Sequence, residues 1–179
     1  RKIWYDAHEP EKAEKLDGKT KFKFLYGDMI EILLLFCAMD AGHEVTNEQY
    51  EVNEDGVTGH IDAEIDGVLV DVKSASPYAY EKFKSGSFVF DDPFGYIPQL
   101  SGYAHKRQTS EAGFLVCDKV NGSIHYAPLS QEYIRGNPPR PRIAELKRVL
   151  ANPSPPERCY SDEPDGKSGN RQLGIGCSY

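Results

Sequence analysis

Two runs of alternating residues, Val57 to Ile65 and Val68 to Lys73, are separated by Asp66-Gly67. An Asp-Gly pair between alternating segments reads as a two-residue hairpin turn, because both central positions need positive φ. Counting outward, Ile65 faces Val68, Ala63 faces Val70 and Ile61 faces Val72, so these apolar residues share one side of the hairpin. On the other side Glu64 meets Leu69, Asp62 meets Asp71 and His60 meets Lys73. Like charges directly opposite one another destabilise a sheet, and cross-strand Cβ atoms lie about 5 Å apart. A hard cation with oxygen ligands turns that repulsion into coordination. A plain solvated sheet face is the alternative reading of the same pair.

The flanking segments suggest what could complete such a site. Phe24 to Ala41 is patterned as a helix with a stop signal at Asp40-Ala41-Gly42. Glu31 interrupts its apolar run between Ile30 and Ile32. Gly27, one turn earlier, would let another backbone approach that side, and Asp28 is a weaker acidic candidate. Pro98 to Arg107 reads as a helix with proline in its first turn. There Gln99 and Tyr103 are four residues apart and share a face, followed by His105, Lys106 and Arg107. An amide and a phenol so placed can hold a phosphate backbone; ordinary amphipathic surface is the other reading.

The remaining signals give a fold class. Val45 to Val52 reads as a first strand. Residues 74–97 read as loop with some helix, and their aromatics (Tyr78, Phe83, Phe90 and Phe94 among them) either stack on bases or pack beneath the loop. Gly113 to Asp118 and Ser123 to Pro128 are strands around Asn121-Gly122, and a helix runs from about Pro141 to Ala151 before Pro153, Pro155 and Pro156. The sum is α+β, a mixed central sheet of roughly four or five strands flanked by helices in a three-layer α/β/α-like arrangement. The expected organisation is a polar helical extension over 1–20, a core over 21–152, and a Pro/Gly-rich tail over 153–179.

With 179 residues the chain suits one ordinary domain. Its 21 Lys and Arg against 28 Asp and Glu, a formal charge of −7, exclude a globally basic nucleic-acid coat but leave room for a local basic groove. The longest uninterrupted apolar run, Ile32 to Met39, has eight residues, far below the ~20 that cross a bilayer. No membrane association and no secretory signal are expected, and the location expected is cytoplasmic, in the host cytoplasm if the source is viral. The start at Arg1 leads us to expect further residues at one or both ends. Cys37 and Cys117 lie in apolar segments, as small buried thiols do, which fits a reducing setting.

Taken together, these residues resemble the PD-(D/E)XK nuclease superfamily, specifically its RecB-type exonuclease branch. Gly27 and Glu31 match the acidic helix motif, Gly59-His60-Ile61-Asp62 the G-x-x-D strand, Asp71-Val72-Lys73-Ser74 the acid-x-lysine strand, and Gln99 to Tyr103 the Q-x-x-x-Y helix. Each motif is short; the four occur in the order usual for the branch, over about residues 21–130.

The resemblance implies a restriction-endonuclease-like core and a metal-dependent deoxyribonuclease. Glu31, Asp62, Asp71 and the backbone carbonyl of Val72 would hold Mg²⁺ or Mn²⁺. Lys73 would orient or help deprotonate the attacking water and stabilise phosphate charge. Gln99, Tyr103, Lys106 and Arg107 would position the substrate, with His60, Gly27 and Ser74 close behind. The implied partner is DNA, single-stranded or with free ends, cut exonucleolytically. A structure-selective endonuclease, a non-catalytic DNA-binding or assembly module of the same fold, and a protein partner in a repair, recombination or adaptation complex are the alternatives and additions.

Some members of the branch, the AddB-type helicase–nucleases and the CRISPR-adaptation exonucleases, carry a 4Fe–4S iron–sulfur cluster. The matching thiols here would be Cys159 and Cys177. No upstream cysteine precedes Glu31, so the alternatives are a two-cysteine clip or incidental thiols.

Overall fold

The computed structural model describes residues 2–12 and 15–157. The described residues divide into two compact units: residues 16–140, and the terminal segments 2–15 and 141–157 taken together, leaving aside 13 and 14. In the smaller unit helix α1 (Lys2–His8) carries Trp4. The buried Trp4 ring stacks on His8, and its indole N–H donates to the carbonyl of Asn152, 2.8 Å away, just after α6 (Pro139–Ala151).

The larger unit opens with α2 (Gly18–Asp40), six residues earlier than the apolar pattern implies. Asp17 sets that start, its carboxylate accepting from the Thr20 N–H at 2.7 Å as an N-cap. The strands follow as β1 (Val45–Thr46), β2 (Tyr50–Glu54), β3 (Val57–Ile61), β4 (Ala63–Ile65), β5 (Val68–Ala75), β6 (Ala112–Asp118) and β7 (Ile124–Leu129). Helices α3 (Pro77–Lys84) and α4 (Tyr96–Arg107) lie in the connection between β5 and β6, and α5 (Gln131–Gly136) follows β7. A 3₁₀ turn over Ser87–Phe90 and α3 give structure to the stretch read as mostly loop.

Five strands form a mixed sheet in the order β1-β4-β5-β6-β7. β5 and β6 run parallel and the other pairs antiparallel, so the chain must cross over between them, which the α3–α4 connection does. β5 is central and buried on both sides. Val70 and Val72 join Ala63 and Cys117 under Ile30, Leu34 and Leu35 of α2. Leu69 and Ala75 join Phe114 and Val116 beneath Tyr80 and Phe83 of α3 and Leu100 and Ala104 of α4. The fold is therefore mixed α+β, with the sheet flanked by helices on both faces. Among the described residues no helix is long and apolar enough to cross a membrane.

Three sequence expectations need correction. Val57 to Ile65 is not one strand. β3 pairs with β2 in a separate two-stranded sheet, in the register Tyr50↔Ile61 and His60↔Glu51, and only β4 pairs with β5, from Ile65↔Val68 to Ala63↔Val70. The chain changes partner at Asp62, so Ile61 packs with Leu69 while Ala63 packs with Val70 on the opposite side. Val45 to Val52 likewise divides into β1 and β2 across a loop in which Asn47 and Gln49 have positive φ. Finally Cys37 is exposed rather than buried, whereas Cys117 is buried as expected.

Candidate active site

The partner change at Asp62 governs the site's geometry. Released from the ladder, Asp62 turns its carboxylate to the neighbouring strand, where Oδ2 accepts from the Val72 N–H at 2.6 Å. Its own carbonyl accepts from the Gln49 N–H at 3.0 Å. Burial raises the Asp62 pKa above the ordinary carboxylate value, with the Val72 N–H and Lys73 opposing it.

Asp71 stands on the central strand at 5% exposure. Burial pushes its pKa up to about 6; Lys73 opposes the rise and Asp62 adds to it. The ammonium of Lys73 contacts Asp71 Oδ2, yet no donor is aligned on that buried oxygen as a hydrogen bond. For Lys73 itself burial acts to depress the pKa, but Asp71 and then Asp62 outweigh it and hold the ammonium above its ordinary value. Lys73 also sits over the Tyr96 ring, 4.7 Å from its centre.

Glu31 comes to this cluster from α2. Burial raises its pKa first, then the negative charges of Asp62, Asp28 and Asp71, while a 2.5 Å hydrogen bond from Gln49 Nε2 to Oε1 opposes them. Asp62 on the strand break and Asp71 at the strand centre therefore both act on Glu31 of the helix, and Lys73 lies with the two strand acids. Gln49 is the residue that sequence reasoning missed. It ties Glu31 by its side chain and Asp62 by its backbone, from a left-handed φ of 49°. Its only sequence signal is a polar Asn-Glu-Gln stretch, which looks like any loop.

The α4 residues form a second group. Gln99 Nε2 donates to the Tyr103 hydroxyl at 3.2 Å. A Cβ on Gly59 would sit 2.7 Å from that hydroxyl and 2.9 Å from the ring, so the glycine of β3 makes room for Tyr103. Gly27 has no such constraint: an added Cβ would lie 3.9 Å from Ser74 Oγ, ordinary contact. Ser74 itself is exposed.

Lys106 and Arg107 are engaged elsewhere. Lys106 Nζ lies 3.3 Å from Glu54, which also takes Arg140 at 3.1 Å. Arg107 Nε donates to Glu64 at 2.8 Å and stacks over Tyr50, and Asn47 holds the other Glu64 oxygen at 2.7 Å. His60 is not across from Lys73. It faces Glu51, with Nε2 at 3.7 Å from that carboxylate and both side chains exposed, because β3 belongs to the other sheet. The loop aromatics divide: Phe83 and Phe88 stack on each other and contact Phe114 in the core, while Tyr78, Phe90 and Phe94 stay exposed. Beside Lys73 a groove of about 430 Å³ is lined by Ser74, Ser76, Tyr78, Tyr96 and Lys119, among others.

The donor set suits a hard divalent cation in its chemistry: all three side chains offer carboxylate oxygens, with Asp62 and Asp71 raising the pKa of Glu31 and Asp62 that of Asp71. Among the described residues no three His, Cys, Asp or Glu side chains are already gathered as a cation cage. As they stand, the two strand acids engage Val72 N–H and Lys73. Cys159 and Cys177 lie outside the described residues. No protein-family model, no curated protein and no solved structure matches the chain.

Proposed function

We propose that the chain is a divalent-metal-dependent deoxyribonuclease with a restriction-endonuclease-like core, acting on single-stranded DNA or DNA ends. The observation that carries this reading is Asp71, buried almost completely on the central strand with Lys73 against it and Asp62 bonded to the next backbone N–H, while Asp62 raises the pKa of Asp71 and both raise that of Glu31. Burying like charges together is costly unless a cation offsets them. In this reading Glu31, Asp62, Asp71 and the Val72 carbonyl hold Mg²⁺ or Mn²⁺. When bound, such an ion lowers the pKa of a coordinated water and polarises the scissile phosphate.

The chain's own residues supply the rest. Lys73, held protonated by its acidic neighbours, is a poor proton acceptor. Its role is to orient the water and neutralise charge developing on phosphate. Gln99 and Tyr103 hold the substrate strand by hydrogen bonds, with Gly59 fixing the position of the tyrosine ring. Tyr78 and Phe94, both exposed beside the groove, offer rings on which unpaired bases stack.

One gel tests the proposal: labelled single- and double-stranded DNA, with EDTA, Mg²⁺ or Mn²⁺, beside Lys73→Ala. Cleavage that requires the metal and falls by roughly 10²–10³-fold in the variant is expected. Metal-independent cleavage, or an undiminished rate in Lys73→Ala, overturns the mechanism. DNA binding without cleavage would make the chain a binding module of the same fold.

A further inference from the structure

Helix α2 is apolar on two sides. Its inward side, Ile30, Leu34 and Leu35, is buried on the sheet. Its outward side shows Phe22, Leu25, Met29, Ile32, Phe36 and Met39, each between 44% and 68% exposed. Their spacing is 3, 4, 3, 4, 3 residues, the a and d positions of consecutive heptads. A solitary surface helix has no reason to keep that seam in water; a helix that packs on another helix does.

We infer that the chain forms a two-fold symmetric dimer in which α2 packs antiparallel on α2 of a second copy. Three features single out this occupant. First, an antiparallel pairing places a positions against d positions throughout: Phe22 against Met39 of the second copy, Leu25 against Phe36, Met29 against Ile32, and each again by symmetry. Second, the flanking charges match. Lys19 and Asp40 occupy equivalent edge positions three heptads apart, and antiparallel pairing puts each opposite the other at both ends. A parallel pair would instead gather Lys19, Lys21 and Lys23 of both copies at one end and Asp40 against Asp40 at the other. Third, the size fits. With the exposed Leu33 beside the seam, the apolar residues offer roughly 800 Å², about what each partner of a stable interface buries. The seam lies away from Glu31, so the inference does not depend on the nuclease reading and leaves the acid cluster on the other side of the helix.

Sedimentation equilibrium of the 179-residue chain at micromolar concentration tests it. Twice the chain mass is expected. Ile32→Glu, at an exposed position that the single chain tolerates, should keep the helical circular dichroism and weaken the dimer by at least ~100-fold, since it places two carboxylates in the central apolar layers. Lys19→Glu and Asp40→Lys should each weaken it by roughly tenfold at low salt, and the double variant should recover. A monomeric wild type, or a dimer indifferent to Ile32→Glu, overturns the interface. Single charge reversals that leave the dimer unchanged, or that the double variant does not rescue, overturn the antiparallel arrangement. Should Ile32→Glu misfold, the charge series alone decides.

Discussion

The β2–β3 and β4–β5 hairpins turn on the same dipeptide. Asp55-Gly56 has φ of 52° and 81°, and Asp66-Gly67 has φ of 51° and 80°, the left-handed pair that a two-residue turn demands. Their surroundings then part. β2 and β3 stand apart from the main sheet and bury little beyond Val52 and Ile61, leaving Glu51 and His60 in solvent. β4 and β5 enter a sheet with helices on both sides, and Leu69, Val70, Asp71 and Val72 are buried in succession. Identical turns thus produce a largely exposed ribbon and a strand able to perturb an acid. What separates them is the burial of the strand that follows: Glu51 on β2 is solvated, whereas Asp71 on β5 is not.

The largest consequence of that contrast is a pH-dependent stability carried by β5. Asp71 titrates at about 6 in the folded protein against an ordinary 3.8. Between those values the folded state keeps a proton that the unfolded chain has released, so stability falls as pH rises through this window and stays reduced above it. Asp71→Asn should lessen the slope, leaving the part that the raised Glu31 and Asp62 carry, and, in EDTA near pH 7, stabilise the protein by an amount on the order of a few kcal/mol while abolishing cleavage. Glu51→Gln on β2 should move stability by less than about 0.5 kcal/mol. Urea melts of the three proteins near pH 4 and pH 7 decide the matter; parallel curves for wild type and Asp71→Asn would mean that the acid is not strained. Added Mg²⁺ should flatten the wild-type slope and leave that of Asp71→Asn unchanged.

Gly59→Val comes next. It drives a side chain into the Tyr103 ring and should cost about 1–3 kcal/mol as overpacking, with weaker DNA retention in a filter-binding assay. Undiminished retention would detach Tyr103 from substrate. Smaller again are the turns. Gly67→Ala and Gly56→Ala both place a Cβ at left-handed φ, costing about 1–2 kcal/mol locally. Only the former should lower the global unfolding midpoint by that amount, since β2–β3 can fray without opening the five-stranded sheet. The smallest effect belongs to His60→Ala, which should leave both cleavage and stability within about 0.5 kcal/mol of wild type.

Much of the β4–β5 hairpin was readable because a two-residue turn and alternation leave few registers, and Glu64↔Leu69 follows from them. The break at Asp62 was not. Alternation runs on unchanged from His60 through Glu64, and period alone does not say that the hydrogen-bonding partner has changed. Misplacing His60 followed directly, as did assigning Ile61 to the wrong side. The Asp55-Gly56 turn carries the same dipeptide signal as Asp66-Gly67, but the strand before it, β2, is hidden in a Val45 to Val52 run that reads as one strand. Glu31 was visible as a lone charge in an apolar helix, whereas Gln49 was not, since its role rests on a loop conformation that polar residues do not advertise. The ion pairs that occupy Lys106 and Arg107 depend on Glu54 and Glu64 arriving from other elements, which no local pattern encodes. Asp17 is legible in principle as a cap, and it starts α2 six residues before the apolar pattern does.

The stacking of Trp4 on His8 and its bond to Asn152 have a practical corollary. Trp4 is the single tryptophan of the chain, and it belongs to the unit made from the two terminal segments. Its emission will therefore report the parting of α1 from the segment after α6. Calorimetry follows both bodies, so any gap between the optical and the heat-absorption midpoints measures how independently they melt.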